Sequence, residues 1–138
     1  MSRLYKGQSV ILLWNSAAMT CRFVFVHKEG LQETYEWEAG RTLARDMLAH
    51  LRDTLAKKEM TFDDIEAIGV FRGPGSFTGL RIGATVLNTL ADARSIPIVG
   101  VMGDAWESDA LDRIERGEDD ALVMPFYGSE AHVTTPRK

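Results

Sequence analysis

The 138-residue chain is 45% hydrophobic and 26% charged, with a net charge of −4, which is the composition of one ordinary globular domain. That balance gives no clustered basic surface for nucleic acid, and no apolar run reaches the roughly 18 residues of a membrane helix. The opening MSRLYKGQS lacks the apolar stretch of a signal peptide, and the lone cysteine, Cys21, permits no intrachain disulfide, so a cytoplasmic setting is expected.

Val10 to Trp14 is a continuous apolar run, as in a strand buried on both faces. Asn15-Ser16-Ala17-Ala18 is turn-like. Cys21 to His27, rich in β-branched and aromatic residues, reads as a second strand with Cys21 in the core. Lys28-Glu29-Gly30 suits a hairpin turn. Leu31, Glu33, Tyr35 and Trp37 then alternate with polar neighbours, the period of a half-exposed third strand. Leu43, Met47, Leu51 and Leu55 recur every four residues, which predicts an amphipathic helix of about four turns. Thr42 is its expected cap, and Lys57-Lys58 suit its C-terminal dipole.

Phe62 to Ile65 reads as a short helical turn capped by Thr61, and Ala67 to Phe71 as a fourth strand. A second helix, capped by Ser76 or Thr78, runs to about Ala93. Its apolar residues fall on two sides, Leu80, Ala84, Leu87 and Ala91 on one and Ile82, Val86 and Leu90 on another. Such a helix is buried on two faces. Ile96 to Val101 predicts a fifth strand, Ala105 to Arg116 a third helix, Ala121 to Met124 a sixth strand and Ala131 to Thr134 a seventh. The acidic stretch Glu115 to Asp120 reads as a solvated loop. Strands one, four and five, separated by helices, should be parallel. The prediction is an α/β domain, a mixed five- or six-stranded sheet with helices on its faces.

Between the fourth strand and the second helix lies Arg72-Gly73-Pro74-Gly75-Ser76-Phe77-Thr78-Gly79-Leu80-Arg81-Ile82-Gly83. A Gly-rich strand-to-helix turn can cradle an anion or let one backbone approach another closely. No lysine stands at the P-loop position, and the expectation is close packing and docking. Arg72 and Arg81 can clamp an acidic group or pair locally.

The segment Gly73 to Gly83, in this strand-to-helix setting, resembles the hallmark of the TsaB (YeaZ, Gcp-like) family. The resemblance runs from about Val10 to Val101. It implies a single actin-like, ribonuclease H-like lobe of the ASKHA superfamily spanning 1–138. The family's second lobe is expected to be absent, with 121–138 an extra strand or tail. It further implies a non-catalytic subunit that supports a TsaD-type enzyme in threonylcarbamoyladenosine modification at position 37 of tRNA. A TsaE-type ATPase joins them, tRNA is met through the complex, and the chain alone forms a homodimer. ATP and Mg²⁺ enter only through the partner complex. In the family, helices of this lobe make the contacts. The expected interface is therefore Leu43, Met47, Leu51 and Leu87, with Gly73, Pro74, Gly75, Ser76, Phe77, Thr78, Gly79, Arg81 and Gly83 of the turn and the helix it starts.

Asn15, Ser16, Gly75 and Ser76 are the expected vestigial nucleotide site. Where the family often has Asp-Thr-Ser or Asp-Thr-Ala, this chain has Asn15-Ser16-Ala17, which removes a hard anionic Mg²⁺ ligand. Gly40-Arg41-Thr42 replaces a common histidine at the first helix, and the triplet Asp-Ala-Arg is missing near Tyr127. His27, His50 and His132 are too far apart for a zinc site, so neither a catalytic residue nor a metal is expected. Two other readings stay open: a nucleotide-binding ATPase formed by pairing of lobes, and a self-associating structural module with a changed partner.

Overall fold

A computed structural model describes residues 9–126. β1 (Val10–Asn15), β2 (Thr20–His27) and β3 (Gln32–Glu38) form an antiparallel meander. β4 (Ile65–Phe71) lies parallel to β1, and β5 (Ile98–Val101) parallel to β4, giving the sheet order β3-β2-β1-β4-β5. The parallel strands are the three expected to be so, because each is reached through a helical crossover: α1 (Leu43–Ala56) and α2 (Phe77–Arg94), with α3 (Trp106–Glu115) following β5. The expected strand over Ala131 to Thr134, and His132, lie outside the described residues.

The period of two sorts β1 between two cores. Val10, Leu12 and Trp14 point to the α1/α2 side, where Met47, Leu51, Leu55 and Leu87 meet Phe23, Phe25 and Ile68. Leu13 points to the other side, among Val24, Val99, Val101, Trp106 and Ala110. α3 comes close to β4 at Gly69, where a Cβ would lie 2.8 Å from both Ala110 Cβ and Leu13 Cδ2. Cys21 is fully buried, and burial pushes its thiol up to about 12, so it stays protonated as a small core residue.

Local signals set most boundaries. Thr61 builds a capping box on the 3₁₀ turn Phe62–Asp64, with Asp64 Oδ2 accepting from Thr61 N at 2.9 Å. Ser76 caps α2, its Oγ accepting from Gly79 N at 3.3 Å. Thr42 does not cap α1. A 3₁₀ turn over Gly40–Thr42 leads directly into the helix, and the Thr42 hydroxyl donates back to Ala39 O at 2.9 Å. Of the two lysines at the end of α1, Lys58 reaches β3, with Nζ 2.5 Å from Glu33 Oε2. Burial raises the Glu33 carboxyl, but hydrogen bonds from Lys58 and His27 outweigh it and hold the group below its ordinary value. β5 starts two residues later than expected. Pro97 lacks an N–H for the ladder, although its carbonyl still accepts from Ile68 N at 3.0 Å.

The expected sixth strand over Ala121 to Met124 is a non-strand strap. Its potential ladder groups are taken by side chains. Asn88 brackets Val123, donating to its carbonyl at 2.9 Å and accepting from its N–H at 2.8 Å. On β5, Ile98 N donates to Asp119 Oδ1 and Gly100 N to Asp120 Oδ2, at 3.1 and 2.8 Å. These carboxylates occupy donors that a sixth strand would need. The acidic stretch is accordingly docked rather than a free solvated loop, and Arg113 clamps it, reaching Glu118 at 2.6 Å and Asp120 at 2.5 Å.

Burial raises the Asp120 carboxyl, but the hydrogen bonds from Arg113 and Gly100 N–H outweigh it and leave the group below its ordinary value. A carboxyl lowered in the folded state stabilises above its unfolded pKa, and that contribution disappears as pH falls through the folded value. Arg113→Ala should therefore unfold about 3 °C lower at pH 7, for roughly 1 kcal/mol at a partly exposed, screened pair. The gap to the parent should narrow toward pH 3. Thermal melts across that range check it; a gap that stays constant with pH would refute the linkage.

Candidate functional site

The glycine-rich turn is built against the turn that follows β1. β4 delivers Arg72, whose N–H donates to Val101 O at 2.8 Å and whose Nε donates to Met124 O at 2.8 Å. Arg72 thus makes local bonds and anchors the strap. Gly73 has φ 127° and follows with a cis peptide to Pro74. A Cβ at Gly73 would lie 2.6 Å from Phe126 O, and one at Gly75 2.5 Å from Ala17 Cβ. Ser76 N donates to Ala17 O at 2.7 Å, which ties the start of α2 to the β1–β2 turn.

A buried chain of polar groups then locks α2 down. Trp14 Nε1 donates to Ser16 Oγ at 3.0 Å, and Ser16 Oγ donates to Gly79 O at 2.8 Å. A Cβ at Gly83 would fall 2.5 Å from Ser16 Oγ and 2.6 Å from Trp14 Nε1, and one at Gly79 would run into the Ser16 carbonyl. These glycines exist because the helix crosses the β1 turn at backbone distance.

The expected vestigial nucleotide residues do converge here, but their side-chain oxygens bond to neighbouring parts of the chain. Asn15 Oδ1 accepts from Ala17 N at 2.8 Å in an Asx turn, Ser16 is buried and bonded twice, Gly75 packs on Ala17, and Ser76 caps the helix. Among the described residues no group of three His, Cys, Asp or Glu side chains is placed to hold a metal ion.

Four of the expected interface residues have a different place. Leu43, Met47, Leu51 and Leu87 are buried in the core beneath the two helices. Each lies on the stripe that faces the sheet, where the apolar stripe of an amphipathic helix goes first. Gly73 is buried and Gly83 is covered by Trp14 and Ser16. Pro74, Gly75, Ser76, Phe77, Thr78 and Arg81 are exposed, and Gly79 partly so.

The second apolar stripe of α2 forms the outer surface with α1. Ile82 and Val86 are partly buried and, with exposed Ala44, Thr85 and Phe77, line a groove of about 500 Å³ between the helices. A neighbouring groove continues past Thr78 to Met19 and Arg41. Phe77 is 45% exposed and Met19 64%. The Arg81 guanidinium lies over the Phe77 ring, 5.7 Å from its centroid. The periodicity of α2 pointed to Ile82 and Val86. Ala44, Thr85 and Met19 carry no sequence signal of this kind, since what they share is only position on the rim.

Trp14, Trp37 and Trp106 are packing residues. Trp14 stacks on Phe23 with centroids 5.6 Å apart, Trp37 stacks on His50 at 4.0 Å, and Trp106 lies 5.6 Å from Phe71. Among the described residues no helix is long and apolar enough to cross a membrane.

Comparison with known proteins agrees with this architecture. The family model described as "TsaD: tRNA N6-adenosine threonylcarbamoyltransferase" matches residues 37–103. The tRNA threonylcarbamoyladenosine biosynthesis protein TsaB of Escherichia coli is 28% identical over 126 residues, covering 87% of this chain and 48% of its own length. TsaB of Haemophilus influenzae is 33% identical over 97 residues, covering 67% and 41%. A tRNA N6-adenosine threonylcarbamoyltransferase of Bacillus licheniformis is 49% identical over 51 residues, covering 37% and 15%. The solved structure of YeaZ from Pseudomonas aeruginosa superposes with a TM-score of 0.64 at 28% identity, covering 79% of this chain and 50% of that one. The chain spans half or less of the length of each of these relatives. The resemblance to the TsaB family expected from Gly73 to Gly83 is borne out, as is the actin-like, ribonuclease H-like fold.

Proposed function

We propose that this chain is a TsaB-like supporting subunit, without chemistry of its own, for a TsaD-type enzyme in threonylcarbamoyladenosine modification of tRNA. The observation that carries this reading is the outer face of α1 and α2. It joins the two grooves with partly buried Ile82 and Val86 and exposed Phe77 and Met19, and contiguous apolar surface of this kind marks a partner site. The internal engagement of Asn15 Oδ1 and Ser16 Oγ supports the non-catalytic half, because both oxygens are spent on bonds within the chain rather than on orienting a phosphate or a water. In this reading the chain contributes one lobe. The TsaD-type subunit docks on the helix face, a TsaE-type ATPase joins the pair, and tRNA is met through the complex in the cytoplasm.

The likeness to proteins named for threonylcarbamoyladenosine biosynthesis supports the choice of pathway. Co-purification with the TsaD-type protein of the same organism, followed by tRNA modification with and without this chain, tests the reading. The expected result is a stable complex and modification that depends on adding the chain. No complex at micromolar concentrations, or equal modification without it, would overturn the proposal.

A further inference from the structure

The sheet has two edges, β5 and β3, and the chain treats them differently. At β5 the outward N–H groups of Ile98 and Gly100 donate to Asp119 and Asp120, and their carbonyls accept from Asp120 N and Arg113 Nη1. That edge is closed. At β3 the hairpin fixes which groups are used. His27 N donates to Leu31 O at 2.8 Å at one end, and Ala39 N donates to Met19 O at 3.0 Å at the other. In the register between them, Cys21 with Trp37, Phe23 with Tyr35 and Phe25 with Glu33 are the hydrogen-bonded pairs. The backbone groups of Gln32, Thr34, Glu36 and Glu38 therefore point away from the sheet. All four residues are exposed, and among the described residues none of these outward groups has a partner. β3 is seven residues long, with an unbroken register and no proline. It lacks the bulge, the proline and the short length that commonly blunt a sheet edge.

The two faces of β3 carry different chemistry. On the α1 side, Tyr35 and Trp37 pack partly buried against the core, and Glu33 is held by Lys58 and His27. On the other side stand Thr34, Glu36 and Glu38. Glu36 lies 3.5 Å from Arg22, but Arg22 bonds Glu107 more closely, at 2.9 Å, and Glu38 has no ion pair among the described residues.

We infer that the β3 edge is a site of strand addition for an extended segment that alternates apolar and basic residues. The backbone of such a segment continues the ladder. Its apolar side chains lie beside Tyr35 and Trp37, and its Lys or Arg side chains beside Glu36 and Glu38. A second copy of this chain is a poor occupant, because its own β3 brings the same carboxylates to the contact. None of the β3 residues lines either helix groove, so this surface is independent of the subunit docking proposed above.

The test titrates the full chain with short synthetic peptides. One alternates Val and Lys, one alternates Val and Glu, and one is the Val/Lys sequence N-methylated at alternate residues. The Val/Lys peptide should bind, and its binding should weaken as salt rises. The Val/Glu peptide should bind at least about tenfold more weakly. The methylated peptide should not bind, because it cannot continue the ladder. On binding, hydrogen exchange should slow at the amides of Thr34, Glu36 and Glu38, while those of Glu33, Tyr35 and Trp37 are already protected in the free protein. Glu36→Lys with Glu38→Lys should reverse the preference between the Lys and Glu peptides. Thr34→Pro removes an outward donor at a position where an edge strand tolerates proline, and should lose the Val/Lys peptide while a thermal melt shows the domain folded. If that variant does not fold, the methylated peptide makes the same comparison on the parent.

Failure of the Val/Lys peptide to bind, equal binding of its methylated form or of the Val/Glu peptide, or unchanged exchange at Thr34 and Glu36 would overturn the proposal. So would self-association of the parent that Thr34→Pro dissolves, since a second copy would then be the occupant. None of these outcomes bears on the complex with a TsaD-type protein, so the two proposals fail separately.

Discussion

Gly79→Ala should lower the unfolding midpoint by about 10 °C, the largest stability effect expected from a change of one methyl group in this protein. In an ordinary helix the substitution helps by about 1 kcal/mol, because alanine loses less backbone entropy than glycine. Here the added Cβ runs into the carbonyl oxygen of Ser16, and backbone cannot rotate away as a long side chain does. α2 must lift. Lifting it opens the Ser16 Oγ to Gly79 O bond, and with it the support for Trp14 Nε1. Overpacking costs about 1–3 kcal/mol, and leaving a buried donor unsatisfied costs about 1–3 more. The net loss is roughly 3 kcal/mol once the helix gain is subtracted, and a domain of this size loses about 3 °C per kcal/mol. A midpoint within 2 °C of the parent would show that α2 tolerates the shift, and that the glycine has no close-packing role.

That substitution also separates the two readings of the glycine run. A phosphate cradle needs free N–H groups at the start of α2. The structure instead gives Gly79 N to Ser76 Oγ and Ser76 N to Ala17 O. Glycines that read in the sequence as either an anion turn or a docking turn are thus docked, but against the chain's own β1–β2 turn. Sequence alone could not decide this. Asn15-Ser16-Ala17 and Gly73 to Gly83 are nearly sixty residues apart, and only the parallel pairing of β1 with β4 brings their C-terminal ends together.

The first three strands, by contrast, are legible to within a residue at each end, and β4 and β5 to within two, because continuous or alternating apolar runs report burial directly. The failures have physical causes. Ala121 to Met124 has a strand-like composition, but Asn88, Asp119 and Asp120 fill the ladder positions from elsewhere in the chain. Thr42 is a good cap residue in a place where the preceding 3₁₀ turn already satisfies the backbone. The Leu43, Met47, Leu51 and Leu55 stripe was read correctly as amphipathic, yet amphipathicity names the face that goes inward, and an interface must come from what remains. On α2 that remainder was visible as Ile82 and Val86. On α1 it consists of Ala44 and the exposed Leu48, too sparse to stand out.

A double substitution on this remainder, Ala44→Asp with Thr85→Asp, should abolish the complex with the TsaD-type protein while leaving the fold intact. Both positions are exposed and lie in the groove between α1 and α2, so the melt should stay within about 2 °C of the parent, as for ordinary surface changes. This contrasts with acidic substitution at Leu51 or Leu87, which would bury a charge in the core and unfold the domain for reasons unrelated to docking. In the groove, a carboxylate at position 44 is one turn from Arg41, and one at position 85 is one turn from Arg81. Each would draw in that guanidinium and would wet the apolar floor. A partner that covers the groove must then bury a carboxylate on its apolar floor, and taking a charge out of water there costs several kcal/mol. Affinity should fall at least about 100-fold, and tRNA modification that depends on this chain should fall with it. Ala44→Ser with Thr85→Ser changes the same positions without charge and should bind within about threefold of the parent, or under 1 kcal/mol. Binding measured by titration calorimetry decides between them. If the Asp pair binds as tightly as the Ser pair, the partner does not enter this groove, and the helix face is not the docking site.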